Sequence, residues 1–310
     1  MQLGLMTEPQ MGGTYDELLA LARWAEHSGL DSFARADHYL DGTRSAPTTD
    51  ALTTLAGLAR DTSTIQLVVL VTPLTFRHPA VIAKSAATID QMSGGRLGLG
   101  IGTGWMQSEH DMFGIDLPEI WERFSRLFEV LAYVRAAFTH DEGFRGRHYE
   151  LQPIDVLPRP PRPIPIIVGG SGPRKTPRYA GRFADEYNMF ACDRETLDKR
   201  VSVMRAAAEA VDRNPDDVVV SFASPAYVAG TEDAYRNLLE DEAANRGISA
   251  AAFEARLAAN NIIHGTPEQA AAIAAGIEGF GVGKLYLQEF KALRDIDTDL
   301  LGSIVSAIRA

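Results

Sequence analysis

The sequence alternates short apolar segments with longer amphipathic segments along most of its length, and this alternation is the strongest restriction on its fold. Segments of strand length are predicted at 1–6, 31–36, 64–71, 96–101, 164–168, 184–190, 218–223 and 284–289. Each is followed by a segment with helical periodicity. Strand–helix units repeated at this spacing favour parallel strands joined by right-handed crossovers.

Eight such units in a chain of 310 residues fit a (β/α)8 TIM barrel, which we predict as a single domain over residues 1–310. Two segments depart from the repeat. Segment 139–163 is rich in proline, glycine and charge, and segment 232–260 is long, helical and strongly charged. We therefore predict insertions after strands four and seven. A doubly wound open sheet is the alternative, but the segment after its first strand usually carries a glycine fingerprint that 7–13 lacks.

Composition excludes several function classes. A formal net charge of -11 argues against nucleic acid as a partner, because phosphate backbones need a basic surface. The single cysteine, Cys192, excludes an intrachain disulfide framework and a cysteine-rich metal cluster, so we expect a reduced, cytoplasmic protein without a metal. We also expect no signal peptide and no membrane span, because the first segment lacks a basic region and no apolar run is long enough.

Residues directly after barrel strands form the functional face of this fold. Asp37 and His38 follow the second predicted strand, where the pair can hold a polar ring edge and deliver a proton near neutral pH. A helix-capping aspartate beside a surface histidine is the alternative. Arg77 and His78, just before Pro79, are interpreted as caps of the helix that begins there.

Glycines alternate along the fourth predicted strand, at Gly98, Gly100, Gly102 and Gly104. Alternating glycines weaken a strand, so something must approach it closely. A flat ligand, another backbone or crowding at the barrel axis would each explain them. Trp105 follows, either as a wall of a ring pocket or as a packing residue.

The segment from Gly169 to Lys175 is the most specific single signal. A strand turns through glycines into a helix that we predict to open at Pro173, which aims backbone N–H groups and the positive helix end at one point. Arg174 and Lys175 add positive charge. The spacing is not that of a Walker A loop, but it predicts a phosphate site. A flexible loop without a ligand is the alternative.

Taken together, these segments resemble the luciferase-like monooxygenase superfamily along essentially the whole chain. The matching segments, in order, are Gly29-Leu30-Asp31-Ser32, Ala36-Asp37-His38, Phe76-Arg77-His78-Pro79, Ser93-Gly94-Gly95-Arg96-Leu97, Gly100-Ile101-Gly102-Thr103-Gly104-Trp105, Gly169-Gly170-Ser171-Gly172 and Ala184-Asp185-Glu186. The Asp-His pair and the glycine loop resemble the branch that uses the deazaflavin coenzyme F420.

The resemblance implies roles for particular residues. Asp37 would contact the deazaflavin ring or orient His38, and His38 would lie beside the reactive carbon as proton donor or acceptor. The other residues implied to bind the cofactor are Val71, Thr72, Gly102, Thr103, Gly104 and Ser108 near the ring and ribityl chain, and Gly169, Gly170, Ser171, Gly172, Arg174 and Lys175 at the phosphate. The family often has a non-proline cis peptide after the third strand, here expected within 69–71.

One departure limits the resemblance. Sugar-phosphate dehydrogenases of this branch have a glutamate where this chain has Trp105, which favours a more apolar substrate. Glu8, at the end of the first strand, faces substrate or acts as a solvated cap. We predict hydride transfer between F420 and a small organic substrate by a homodimer that uses helices 50–60 and 79–92.

Three alternatives stay open: an FMN-dependent monooxygenase on the same barrel, a non-catalytic flavin or deazaflavin carrier, and a metal hydrolase barrel using His38, His78 and His110. The last is disfavoured because the sequence lacks a His-x-His pair and a matching carboxylate–lysine set.

Overall fold

A closed ring of eight parallel strands forms the centre of the protein in a computed structural model that describes residues 1–139, 143–154, 157–160 and 162–310. The strands are β1 (Gln2–Thr7), β2 (Ser32–Arg35), β3 (Gln66–Pro73), β4 (Leu97–Gly102), β5 (Ile166–Gly169), β6 (Glu186–Phe190), β7 (Val219–Val228) and β8 (Lys284–Glu289). Each pairs with the next in parallel, and β8 pairs with β1 to close the ring. The predicted TIM barrel is confirmed.

Helices cover the outside of the ring. They are α1 (Tyr15–His27), α2 (Ala51–Asp61), α3 (Pro79–Ser93), α4 (Gln107–Phe113), α5 (Ile120–Thr139), α6 (Lys175–Phe183), α7 (Arg194–Glu209), α8 (Glu232–Asn245), α9 (Ala250–Ala259), α10 (Pro267–Gly279) and α11 (Thr298–Arg309). Capping boxes begin two of them, with Thr14 before α1 and Thr266 before α10. In the described part of the chain, no helix is long and apolar enough to cross a bilayer.

Both predicted insertions are present. After α5, Phe144–Arg145 and Glu150–Leu151 pair as a short antiparallel hairpin, while 140–142, 155–156 and 161 of the predicted segment lie outside the described residues. After β7, the predicted helix 232–260 is two helices, α8 and α9. The chain breaks between them at Gly247, whose φ of +66° leaves the helical region.

Side chains alternate along each strand between the barrel interior and the surrounding helices. The outward ones pack with the helices into a large apolar core that includes Leu3, Phe33 and Leu285. The inward apolar side chains form a second, smaller cluster of Met6, Ala34, Ala36, Val68, Leu70, Ile167, Ala223 and Tyr286. Position parity in a strand therefore shows whether a side chain faces the interior.

A polar cluster closes the interior at the amino ends of the strands, and we call it the floor cluster: Lys284, Glu186, Gln66, Ser221 and Tyr286. The Lys284 ammonium lies 3.5 Å from a Glu186 carboxylate oxygen and donates to Gln66 Oε1 at 2.9 Å. Ser221 and Tyr286 donate to Glu186 at 2.7 and 3.4 Å. This buried ion pair is thus held by neutral partners from other strands.

Candidate active site

His38 lies just beyond β2 at the opposite, carboxyl end of the barrel, which we call the mouth. Its Nδ1 is 3.0 Å from Oε2 of Glu109, a buried residue in the first turn of α4. Glu109 also accepts hydrogen bonds from the backbone N–H groups of Tyr39 and Leu40. These bonds hold the imidazole in one orientation, with 19% of the His38 side chain exposed.

The charges around this pair favour the protonated form of His38. Burial lowers the pKa of His38, but the hydrogen bond and charge of Glu109, with the charges of Glu8 and Asp37, outweigh it and raise the pKa. Burial also raises the pKa of Glu109, and its bonds to His38, Tyr39 and Leu40 reverse this and lower it. Among the described residues, no hydrogen bond involves His38 Nε2. Nε2 is therefore the ring nitrogen that is free to exchange a proton with a ligand.

Asp37 is anchored differently from the prediction. Its buried carboxylate accepts from Arg77 Nη1 at 2.5 Å, and the same nitrogen donates to Thr72 at 2.9 Å. Arg77 also pairs with Asp50, whose pKa falls to about 2 because its bonds to Thr53 and Arg77 outweigh burial. The Asp37 carboxylate therefore joins the ends of β2 and β3, and Glu109 is the carboxylate hydrogen-bonded to His38.

Two capping interpretations need correction. The idea of a capping aspartate beside a surface histidine is wrong, because Asp37 is fully paired and no helix starts there. His78 does cap α3, since its Nδ1 accepts from the N–H of Ala80 at 3.1 Å. Arg77 does not cap it, because the guanidinium is drawn to two carboxylates.

Glu8 follows β1 and is only 4% exposed, so the solvated-cap alternative for it is wrong. Gln10 and Gln288 donate to its two oxygens at 2.6 and 2.5 Å. Burial raises the pKa of Glu8, and these two amides and the charge of His38 oppose the rise. Glu8 thus adds a second buried acid beneath His38.

Crowding accounts for the glycines of β4. A Cβ on Gly100 would lie 2.2 Å from the Val69 carbonyl oxygen, and one on Gly102 would lie 2.6 Å from Val71 Cγ2. A Cβ on Gly169 of β5 would lie 2.8 Å from the other methyl of Val71. The glycines therefore make room for β3, and the ligand explanation is not needed at these positions.

The path of β3 explains this crowding. Its pairing with β4 shifts register between Val69 and Thr72. The Leu70-Val71 peptide is cis, within the range 69–71 where a cis peptide was expected, and that expectation is confirmed. The methyl groups of Val71 lie against Gly100, Gly102 and Gly169, and we call this place the pocket of glycines.

The glycine loop after β5 differs from the prediction at one point. Helix α6 begins at Lys175, two residues after Pro173, because Arg174 has φ -130° and ψ -52° and is outside the helical region. Gly170 has φ +143°, which requires glycine, and a Cβ on Gly172 would lie 2.6 Å from Thr176 Oγ1. The side chains of Arg174 and Lys175 are exposed beside the first amides of α6.

The remaining predicted cofactor residues fall into two groups. Thr72 is buried and accepts from Arg77, and Ser108 donates to the Gly42 carbonyl at 2.9 Å, so each hydroxyl has a protein partner. Thr103 and Gly104 lie partly exposed beyond β4. At the loop, the Ser171 carbonyl accepts from Arg200 at 3.0 Å.

His38, His78 and His110 do not form a metal site. His110 is buried, with Nδ1 2.8 Å from the Met106 carbonyl and Nε2 2.8 Å from the Thr75 hydroxyl. His78 is in a helix cap. Within the described ranges, no three His, Cys, Asp or Glu side chains are grouped to hold a metal ion.

Comparison with known proteins identifies the family. The model of the luciferase-like monooxygenase family matches residues 1–287. The chain belongs to this family. It is 34% identical over 225 residues to an F420-dependent glucose-6-phosphate dehydrogenase of Amycolatopsis mediterranei (strain U-32), covering 70% of this chain and 66% of that relative.

A second relative, the F420-dependent glucose-6-phosphate dehydrogenase of Kineococcus radiotolerans, is 39% identical over 178 residues, or 55% of this chain and 51% of that protein. The matches to these relatives thus span between half and just under two thirds of the relatives' lengths.

Solved structures share the fold. An F420-dependent secondary alcohol dehydrogenase with a bound F420–acetone adduct superposes with a TM-score of 0.83 and 19% identity, covering 100% of this chain and 99% of that one. The coenzyme F420-dependent tetrahydromethanopterin reductase of Methanopyrus kandleri has a TM-score of 0.75 and 20% identity, covering 97% of each chain. At these identities the likeness is one of fold.

Proposed function

We propose that this protein is an F420-dependent oxidoreductase that transfers a hydride between the deazaflavin and a small organic substrate. The observation that carries the proposal is the His38–Glu109 pair, an imidazole with a raised pKa held at the barrel mouth with one nitrogen free. The names of the family relatives support F420 as the cofactor.

The residues present fit a phosphorylated cofactor. Gly170 has a positive φ that lets the loop turn, and its own N–H donates to the Asn188 carbonyl at 3.2 Å. The amides of Lys175 and Thr176 lie at the positive end of α6, where the loop enters the helix. We propose that Gly169, Gly170, Ser171 and Gly172 hold the cofactor phosphate through their backbone. We propose that Arg174 and Lys175 add charge at the same place.

Bound F420 would supply a carbon that accepts or releases a hydride. His38 Nε2 would give a proton to a substrate oxygen in the reductive direction and take it back in the oxidative direction. Glu109 would hold the ring and balance its charge, and Asp37 would brace the loop through Arg77. Val71, Gly102, Thr103, Gly104 and Ser108 are proposed to surround the ring end, with Val71 held in the pocket of glycines.

Titration of the purified protein with F420 and with FMN, followed by cofactor fluorescence, tests the proposal. We expect saturable F420 binding and at least tenfold weaker FMN binding. An Arg174→Ala, Lys175→Ala double variant should weaken F420 binding, whereas an Arg60→Ala, Arg23→Ala control, altered on α2 and α1, should not.

Tight FMN binding with none of F420 would contradict the proposal and favour the FMN monooxygenase. Tight F420 binding without oxidation or reduction across alcohols, ketones and sugar phosphates would favour the carrier. The homodimer and the cytoplasmic location stay predictions.

A further inference from the structure

We propose that the substrate is an uncharged alcohol or ketone that carries an aromatic ring, bound at the mouth between Phe190, Phe290 and Trp105. This inference rests on the proposed F420-linked function and assigns a substrate class to the same site. The three aromatic side chains are 51%, 48% and 68% exposed, although each follows or ends a barrel strand.

Phe190 ends β6 on the interior side. Glu186 and Asn188 of the same strand face inward, since both bond to Ser221 in the barrel. Tyr187 and Met189 face the helices in the outer core. Alternation therefore directs Phe190 over the top of the barrel interior.

The same alternation directs Phe290 toward the mouth, four residues beyond Tyr286, which is level with Phe190 in the sheet register. In β8, Lys284 and Tyr286 face inward in the floor cluster, and Gln288 bonds to Glu8 across the interior. Phe290 follows in the same phase, one residue beyond the strand. An inward-directed phenyl group that is still half exposed faces open space at the mouth.

Trp105 connects this apolar rim to the proton donor. Its indole lies edge-on to the His38 ring, with centroids 5.7 Å apart and planes at 77°. It is the most exposed large apolar side chain at the mouth. Aromatic rings prefer such edge-to-face and offset contacts, so a ligand ring near His38 has aromatic partners on several sides.

The charges at the mouth disfavour an anionic substrate. The acids Glu8, Asp37 and Glu109 are buried near His38, and the cations beside them are already paired, Arg77 with Asp37 and His38 with Glu109. Just beyond β8, Lys291 lies 3.2 Å from Glu289. A phosphate group there would have to draw a cation away from an acid.

The reaction then balances as follows. In the reductive direction, the carbonyl carbon receives a hydride from reduced F420, and His38 gives its Nε2 proton to the carbonyl oxygen. The C=O bond becomes CH–OH, the coenzyme is oxidised by two electrons and releases its ring N–H proton to solvent, and solvent returns a proton to His38. The oxidative direction runs the same transfers backwards.

Four probes test the substrate class with the F420-loaded protein: acetophenone, acetone, 4-acetylbenzoate and, in the oxidative direction, glucose 6-phosphate. Acetone lacks the ring and 4-acetylbenzoate adds a charge to it. We expect kcat/KM for acetophenone to exceed that for acetone and that for 4-acetylbenzoate by at least tenfold each. We expect glucose 6-phosphate to be oxidised at least a hundredfold less efficiently than 1-phenylethanol.

Variants locate the ring. Phe190→Ala and Phe290→Ala should each lower kcat/KM for acetophenone about threefold to tenfold, the size of one aromatic contact, and change acetone less than twofold. Val219→Ala is the matched control, because it removes an exposed apolar side chain at the floor end of β7. Calorimetric affinity of acetophenone for the protein bound to oxidised F420 should fall in the same two variants, independently of turnover.

Any of three results would overturn the inference. Acetophenone could be reduced no better than acetone, no ketone could be reduced at all, or the two phenylalanine variants could change the reduction of both ketones equally. Efficient oxidation of glucose 6-phosphate would overturn it and leave the proposed function intact. Failure of F420 to bind would instead overturn the proposed function, and the fluorescence titration reports that separately.

Discussion

The two ends of the barrel interior bury similar charged groups for different purposes. At the floor, Lys284 and Glu186 form an ion pair that Gln66, Ser221 and Tyr286 enclose. At the mouth, His38 and Glu109 form a pair of similar length. The floor side chains are 2% and 9% exposed, whereas 19% of the His38 side chain reaches solvent.

The two pairs differ in whether a ligand can reach the charged group. A group with all of its bonds taken by neighbours can contribute to specificity of packing, but it cannot react with a ligand. His38 has a fixed orientation, a shifted pKa and a free ring nitrogen, which together suit proton transfer. Four substitutions test the proposed difference between the floor and the mouth.

The largest effect is expected at His38. His38→Ala should leave F420 binding nearly unchanged and slow turnover roughly 100- to 10,000-fold, because a positioned acid–base group contributes on this scale. Single-turnover kinetics with saturating cofactor measures it. His27→Ala, at the end of α1, is the matched control and should turn over normally. Unchanged turnover in His38→Ala would remove the proton-transfer role.

A substitution in the floor cluster should change the stability of the protein and not its turnover. Lys284→Met leaves the buried Glu186 carboxylate without its cation and should lower the free energy of unfolding by about 3 kcal/mol. Urea denaturation measures the loss, and turnover by the folded fraction should be normal. Lys199→Met, which breaks the exposed pair with Glu195, should leave the denaturation curve unchanged. Slower turnover by folded Lys284→Met protein would contradict the claim that the floor cluster has no catalytic role.

The pH profile tests the Glu109 contact. The raised pKa of His38 means that reductive activity is present below that pKa and is lost as pH rises through it. Glu109→Gln removes the largest factor raising the pKa of His38, so the falling limb should move to lower pH. The charges of Glu8 and Asp37 also raise the pKa of His38, so part of the increase should remain in this variant.

Glu129→Gln is the matched control, because Glu129 is also a buried acid that accepts backbone N–H bonds, from Arg147 and His148, away from His38. Its profile should keep the wild-type limb. An unmoved limb in Glu109→Gln would mean that another group controls the titration.

The smallest effect is expected in the glycine loop. Gly172→Ala brings a methyl group within 2.6 Å of Thr176 Oγ1, so the loop must shift and F420 should bind about threefold to tenfold more weakly. Fluorescence titration gives the affinity. Gly276→Ala in α10 meets no atom within 4 Å and should bind F420 as the wild type does. Equal affinities for both variants would place the phosphate elsewhere.

Much of this architecture could be read from the sequence. All eight strands lie within two residues of their predicted starts, because period-two and helical patterns depend on neighbours along the chain. Asp37, His38 and the glycine loop were placed at the mouth for the same reason. The single-domain boundary at residues 1–310 stays a prediction.

The barrel can be predicted from the amino-acid sequence alone. So can the end of the barrel that carries the site and the segments that reach this end. Which groups contact one another there is known only from the three-dimensional structure. Glu109 bonds to His38, 71 residues away in the sequence, Arg77 bonds to Asp37, 40 residues away, and Val71 packs against the glycines of β4. The physical reason is that local periodicity fixes where a side chain points. Its partner depends on how distant strands register around the closed ring, which no single segment encodes.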